Sequence, residues 1–216
     1  MTTVDSSSGL VLADRVFPRH LAVDVALVFS GTALVALFAQ IAIPLNPVPI
    51  TGQTLAVLLV GASLGWARGV MALGLYAAAG IAGLPVFSPN ADGSHSVGFS
   101  VITGPKGGYI IGFILSVALV GWLSERQWDR KIFKALATCA GGTVVTFLVG
   151  VSWLYAVLKA AGPSMWRDEL HYDSVFAATM GAGLLPFLLG GVVKAAIAAV
   201  LLPLAWMGAN RLKERE

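Results

Sequence analysis

Hydrophobic positions along this chain neither alternate with polar ones nor scatter. They gather into long uncharged runs, separated by short stretches rich in polar residues, glycine or proline. Several runs approach the ~20 residues that an α-helix needs to cross a bilayer. The pattern places apolar spans at 21–43, 51–66, 68–84, 107–124, 133–160 and 183–207, the second and third being short and parted only by "GWAR". A transmembrane β-barrel would alternate its apolar residues along each strand instead. The expectation is therefore an all-α integral membrane protein of six transmembrane helices. Residues 21–207 form its membrane domain, between a cytoplasmic N-terminal segment at 1–20 and a basic cytoplasmic tail at 208–216.

The connections are as informative as the runs. "IAIPLNPVPITGQTLAVLL" (41–59) sets Pro44, Pro47 and Pro49 between two apolar segments without a single charge. Proline cannot continue a helix and biases the residue before it toward extended backbone. This stretch reads as a stiff outer hairpin, with Thr51, Gln53 and Thr54 at the mouth of the second span. "GLPVFSPNADGSHSVGFSVITGPK" is much longer. Loops of such length inside compact domains are usually functional or disordered, and Val86, Phe87, Val97, Phe99 and Val101 argue against disorder. Residues 85–106 are expected to form a lid over an outward-facing pocket. A third outer connection, "KAAGPSMWRDELHYDS", follows the fifth span.

Composition agrees: 57% of the residues are hydrophobic, only 12% are charged, and mean hydropathy is +0.83. A soluble domain carries about a quarter charged residues. The 25 glycines, with abundant alanine, suit close-packed membrane helices. The net charge of +3 bears on topology and gives no reason to expect a nucleic-acid partner. Of fourteen basic residues, ten (Arg15, Arg19, Arg68, Arg126, Arg130, Lys131, Lys134, Arg211, Lys213, Arg215) fall on one side of the six-span arrangement. Lys106, Lys159 and Arg167 fall on the other, and Lys194 lies within a span. That asymmetry puts both termini in the cytoplasm and requires an even number of crossings. The apolar run after the first twenty residues is too long for a signal-peptide core and is expected to remain. Cys139 is the single cysteine, so no disulfide forms within the chain, and its apolar neighbours mark it as a packing residue.

Lys194, in "PFLLGGVVKAAIAAVLL", stands about ten residues into the sixth span with no carboxylate partner evident in the bilayer. An ammonium at such depth is costly unless paired or hydrated. It either faces a polar cavity, where an anionic ligand is a natural counter-charge, or snorkels to an interface. "GPKGGYIIGF" (104–113) opens the fourth span with glycines that let backbone approach a ligand, at a helix start whose free N–H groups favour acceptors. It lacks the P-loop spacing. Tyr109 there fits a pocket wall or an interfacial anchor equally well. Gln53 and Thr54 need polar partners, and Trp153 and Tyr155 fit a stacking wall or an aromatic belt. His95 and His171 have no ligand-spaced companions, so no metal is expected. The spans hold no catalytic constellation. Ala22, Ala26, Ser30 and Ala33 put small residues at helical spacing on the first span, for internal packing or a second membrane subunit.

Together, "AQIAIPLNPVPITGQTLAVLLVGASLG", "AAGIAGLPVFS", "GPKGGYIIGF" and "LLPFLLGGVVKAA" resemble the BioY family, the biotin-specific S components of energy-coupling factor (ECF) vitamin transporters. The resemblance implies an ECF S-component-like fold in the bacterial plasma membrane, with biotin as the transported ligand, no cofactor and no enzymatic activity. It implies partnership with a transmembrane coupling subunit and two cytoplasmic ATPase subunits, with Ala22, Ala26, Ser30 and Ala33 facing the coupling subunit. Carried over by position, the binding residues would be Asn90, Gly107, Tyr109, Trp153 and Lys194, the lysine suiting the valerate carboxylate. Two departures stand out. Gly191 replaces the acid usual three residues before the lysine, leaving Asn90 or Gln53 to compensate, and Lys106 replaces a threonine. The alternatives are an S component for another small anionic vitamin and, from a different class, a membrane-embedded enzyme.

Overall fold

A computed structural model describes residues 11–90 and 92–214, the side chain of Lys213 excepted. The outer parts of both expected terminal segments, residues 1–10 and 215–216, lie outside the described residues. The described chain folds as α1 (Leu12–Val16), α2 (Leu21–Gln40), β1 (Ala42–Ile43), β2 (Ile50–Thr51), α3 (Gln53–Leu64), α4 (Trp66–Ile81) and α5 (Phe99–Thr103). There follow α6 (Gly107–Ser124), α7 (Ile132–Ala161), a π-helical turn (Ser164–Glu169), α8 (Val175–Gly183) and α9 (Leu185–Lys213).

Among the described residues, four helical stretches are long and apolar enough to cross a membrane: α2, α6, α7 and the nearly continuous Val175–Leu212. Two expected spans are shorter than full crossings. The 12 residues of α3 and 16 of α4 reach about 18 and 24 Å at 1.5 Å per residue, against ~30 Å of hydrocarbon. Gly65 separates them at φ +84°, in the left-handed region where glycine alone is at ease. A β-carbon there would also meet the Glu125 carboxylate, which accepts from the Trp66 backbone N–H at 3.1 Å.

The boundaries differ at two more places. The first span ends at Gln40, and the proline-rich connection forms a short antiparallel hairpin pairing Ala42 with Thr51 and Ile43 with Ile50. The last span, expected at 183–207, begins at Val175, breaks at Leu184 and continues through most of the expected tail. Ser174 caps α8 by accepting from the Ala177 N–H, and Pro186 restarts the helix at a position where no backbone donor is lost.

Glycines set the spacing at the centre of the bundle. A side chain at Gly112 of α6 would sit 2.8 Å from the Thr146 carbonyl oxygen of α7, so these helices touch backbone to backbone. In lipid that close packing, rather than expulsion of water, holds helices together. Cys139, free and buried, packs among Leu58, Val120 and Ala198. The periphery is α2, which buries only Gly31, Val35 and Ala39. At the bundle end away from the hairpin, Asp14 of α1 accepts from Arg19 at 2.7 Å and from Arg68 of α4 at 2.8 Å. Arg68 also reaches Asp24 of α2 at 2.8 Å.

Candidate ligand-binding site

A cavity lies where the hairpin, the 85–106 loop and the helices α3, α4, α6, α7 and α9 converge. The prolines hold Val48, Pro49 and Thr51 of the hairpin against it. The first turn of α3 supplies Gln53 and Thr54, and α4 supplies Tyr76. The loop gives Phe87, Ser88, Val101 and Lys106; the start of α6 gives Tyr109, Ile110 and Phe113. Thr146 and Phe147 come from α7, and Phe187, Gly191 and Lys194 from α9. The wall is thus largely apolar and aromatic, with a few polar groups converging on it, which is the usual make-up of a small-molecule site.

Most of these polar groups are held in place. Gln53 is buried, donating from Nε2 to the Tyr76 hydroxyl at 2.8 Å and accepting from Thr51 Oγ1 at 3.1 Å. Tyr109 donates to the Gly183 carbonyl at 2.6 Å, satisfying a helix-end oxygen left over at the α8–α9 break. Its ring centroid lies 6.1 Å from that of Phe187, which stands 6.3 Å from Phe147. Tyr76 meets Phe87 edge to face at 5.4 Å. Lys194 donates to the Thr51 backbone carbonyl at 2.5 Å. Lys106 donates to Asn90 Oδ1 at 2.8 Å and the Ser88 carbonyl at 3.4 Å. Burial at the loop edge holds the Lys106 ammonium below lysine's ordinary value. Among the described residues no carboxylate lines this cavity; its charged groups are the two lysines.

Of the residues expected from sequence, Lys194, Gln53 and Tyr109 are brought together on the cavity wall. Asn90 stands one step back, lining a second, more open cavity and holding Lys106. Gly107 and Trp153 do not reach the wall. Gly107 is buried where a β-carbon would collide with the Ile102 carbonyl, so it lets α5 dock on the start of α6. Trp153 donates its indole N–H to the Gly104 carbonyl at 3.0 Å, tying α7 to the end of the loop. Unforeseen contributors are Tyr76, Phe87, Phe113, Thr146, Phe147 and Phe187. For Tyr76 there was a signal: a buried Gln53 amide requires a partner. Ala22, Ala26, Ser30 and Ala33 lie together on the exposed face of α2.

The chain resembles the biotin transporter BioY of Thermotoga maritima, 34% identical over 145 residues covering 63% of this chain and 82% of that protein. The biotin transporter BioY of Rhizobium etli is 31% identical over 185 residues, 78% of this chain and 88% of that protein. The probable biotin transporter BioY of Pyrococcus horikoshii is 32% identical over 178 residues, 82% and 93% respectively. The fold matches the crystal structure of the S-component for biotin from an ECF-type ABC transporter, with a TM-score of 0.65 at 22% identity over 88% of this chain and 90% of that one. The family model described as "BioY family" matches residues 9–211, nearly the whole polypeptide, and the chain belongs to that family.

Proposed function

We propose that this protein is the biotin-binding S component of an ECF-type uptake transporter, capturing biotin in the cavity between hairpin, loop and helices. The observation that carries the reading is the cavity's chemistry: a largely apolar, aromatic wall with two ammonium groups and an ordered amide. Biotin has matching parts. Its fused rings suit the Tyr109, Phe147 and Phe187 surface, its ureido group suits Gln53 and a lysine N–H, and its valerate carboxylate suits a cation. Lys194, Gln53 and Tyr109 contact the ligand; Asn90, Gly107 and Trp153 hold the contacting elements. Residues 85–106 act as the lid. No cofactor or catalytic step is needed.

In this reading the short α3 and α4 count as crossings, the bundle spans the bacterial plasma membrane six times, and both termini are cytoplasmic. The exposed small-residue face of α2 docks on a transmembrane coupling subunit that works with two cytoplasmic ATPases. Titration of the purified protein with radiolabelled biotin should give saturable binding, and Lys194→Ala should weaken it about tenfold, the worth of one charge-assisted hydrogen bond. Absence of saturable binding would refute the assignment. Gly191 favours a second reading: without the family's usual acid, the site also suits another small anionic vitamin, which the same titration with unlabelled competitors distinguishes.

A further inference from the structure

Lys106 occupies a position that the ligand assignment alone does not explain. It lines the inner cavity and also the more open outer one formed by Leu45, Asn46, Pro47, Pro89, Asn90 and Asp92. Among the described residues only Pro49 shares that double membership. The lysine therefore stands at the threshold between them. Its oxygens are neutral ones, Asn90 Oδ1 and the Ser88 carbonyl, and among the described residues it makes no ion pair.

Asn90 is itself clamped. Its Oδ1 accepts from Ser96 Oγ at 3.0 Å, and its Nδ2 donates to Ser94 Oγ, whose hydroxyl donates to Asp92 Oδ1 at 2.6 Å. The acid of the outer cavity is thus engaged by a serine, and the ammonium is fixed by neutral groups. Lys194 differs in setting. It lies within α9, bonded to a backbone carbonyl and flanked by Gly191, against which the Phe147 ring packs. A ligand with one carboxylate can neutralise only one of these lysines. Taking a carboxylate to the deeper one requires fuller dehydration, and dehydrating an ion is far costlier than dehydrating a neutral carbonyl.

Resting on the biotin reading above, we propose that Lys106 is the carboxylate-selecting residue of this transporter subunit. It holds the valerate carboxylate at the threshold, while Lys194 donates to a neutral acceptor, the ureido carbonyl oxygen. The pocket accordingly selects ligands with a free carboxylate at the far end from the ring.

The test is equilibrium binding of biotin and of biotin methyl ester, which keeps the rings but loses the charge, to the full-length protein in nanodiscs. Wild type is expected to prefer the acid by about tenfold or more, the worth of a charge-assisted hydrogen bond. Lys106→Met should weaken the acid far more than the ester and so lose most of the preference, and Lys106→Arg should keep it. Lys194→Met should weaken both ligands alike and leave their ratio unchanged. Thermal unfolding of each variant, compared with wild type, checks that it is folded. An unchanged ratio in Lys106→Met, or a ratio that collapses in Lys194→Met instead, would overturn the proposal with the biotin assignment intact. A wild-type protein that binds neither compound overturns that assignment itself.

Discussion

Gln53 joins two cavity walls through one side chain, because its amide donates to Tyr76 on α4 while accepting from Thr51 on the hairpin. Replacing it by leucine keeps the volume but strands a fully buried tyrosine hydroxyl, at a cost of about 1–3 kcal/mol. Tyr76→Phe removes the group that would be stranded and leaves an amide that still holds Thr51 and faces the cavity. Thermal unfolding in detergent should therefore rank Gln53→Leu as the more damaging change, and the reverse order would show that the pair does not couple these walls. Gln53 was legible in the sequence because an amide inside an apolar run needs a partner. Lys194 was legible for the same reason, with charge in place of polarity. Phe147 and Phe187 were not, since an aromatic residue in a uniformly apolar helix fits any face, and only the packing of α7 on α9 turns these two inward. Asn90 was read as a ligand contact, whereas its bond to Lys106 depends on how a sixteen-residue separation closes in space.

Among the elements, the apolar runs located every long helix, but charge clusters decided how the ends are tied. Arg68, the third residue of the short α4, reaches Asp14 and Asp24 and so binds α1 and α2 to the bundle. Its side chain is 15% exposed, against 58% for Arg19, the other partner of Asp14. Arg68→Ala should cost about 1–3 kcal/mol, since it leaves a nearly buried carboxylate with one solvent-exposed partner, whereas Arg19→Ala should cost under about 1 kcal/mol. The pH dependence has a definite sign. Burial pushes the Asp14 carboxyl up, but the Arg19 and Arg68 hydrogen bonds outweigh it and leave the group below its ordinary 3.8. A depressed carboxyl stabilises the fold above its unfolded value and loses that contribution as pH falls through the folded one. The stability gap between wild type and Arg68→Ala, followed by thermal melts, should narrow below about pH 3.8. A gap independent of pH would mean that Arg68 acts through packing alone. The sequence showed Arg68 only as one cation among those of a single membrane side. The break at Leu184 was hidden too, because the glycines and proline around it are equally common inside transmembrane helices.

For the whole molecule, the helices are unequally buried, and the face of α2 proposed for assembly is separate from the cavity. The cavity is built from the hairpin, the loop, α3, α4, α6, α7 and α9, and α2 contributes nothing to its lining. Ala22, Ala26, Ser30 and Ala33 are all on the exposed side of α2, and the Ser30 hydroxyl is spent on the Ala26 carbonyl of its own helix at 2.8 Å. The stripe thus makes no polar demand on its surroundings, and its small side chains would let another helix approach closely. Bulk added there should be neutral in a lipid-facing position and harmful in a docking one. In Ala26→Leu/Ala33→Leu, biotin affinity should stay within about twofold of wild type, because exposed substitutions away from the site change folding by roughly 0.5 kcal/mol or less. Recovery of the proposed coupling subunit and ATPases with the affinity-tagged protein should fall about tenfold, matching the 1–3 kcal/mol typical of overpacking. Intact recovery in the double variant would move the assembly face elsewhere on the bundle. Lost biotin binding would mean instead that α2 supports the cavity through the buried Gly31, Val35 and Ala39 face, and that capture and assembly share an element after all.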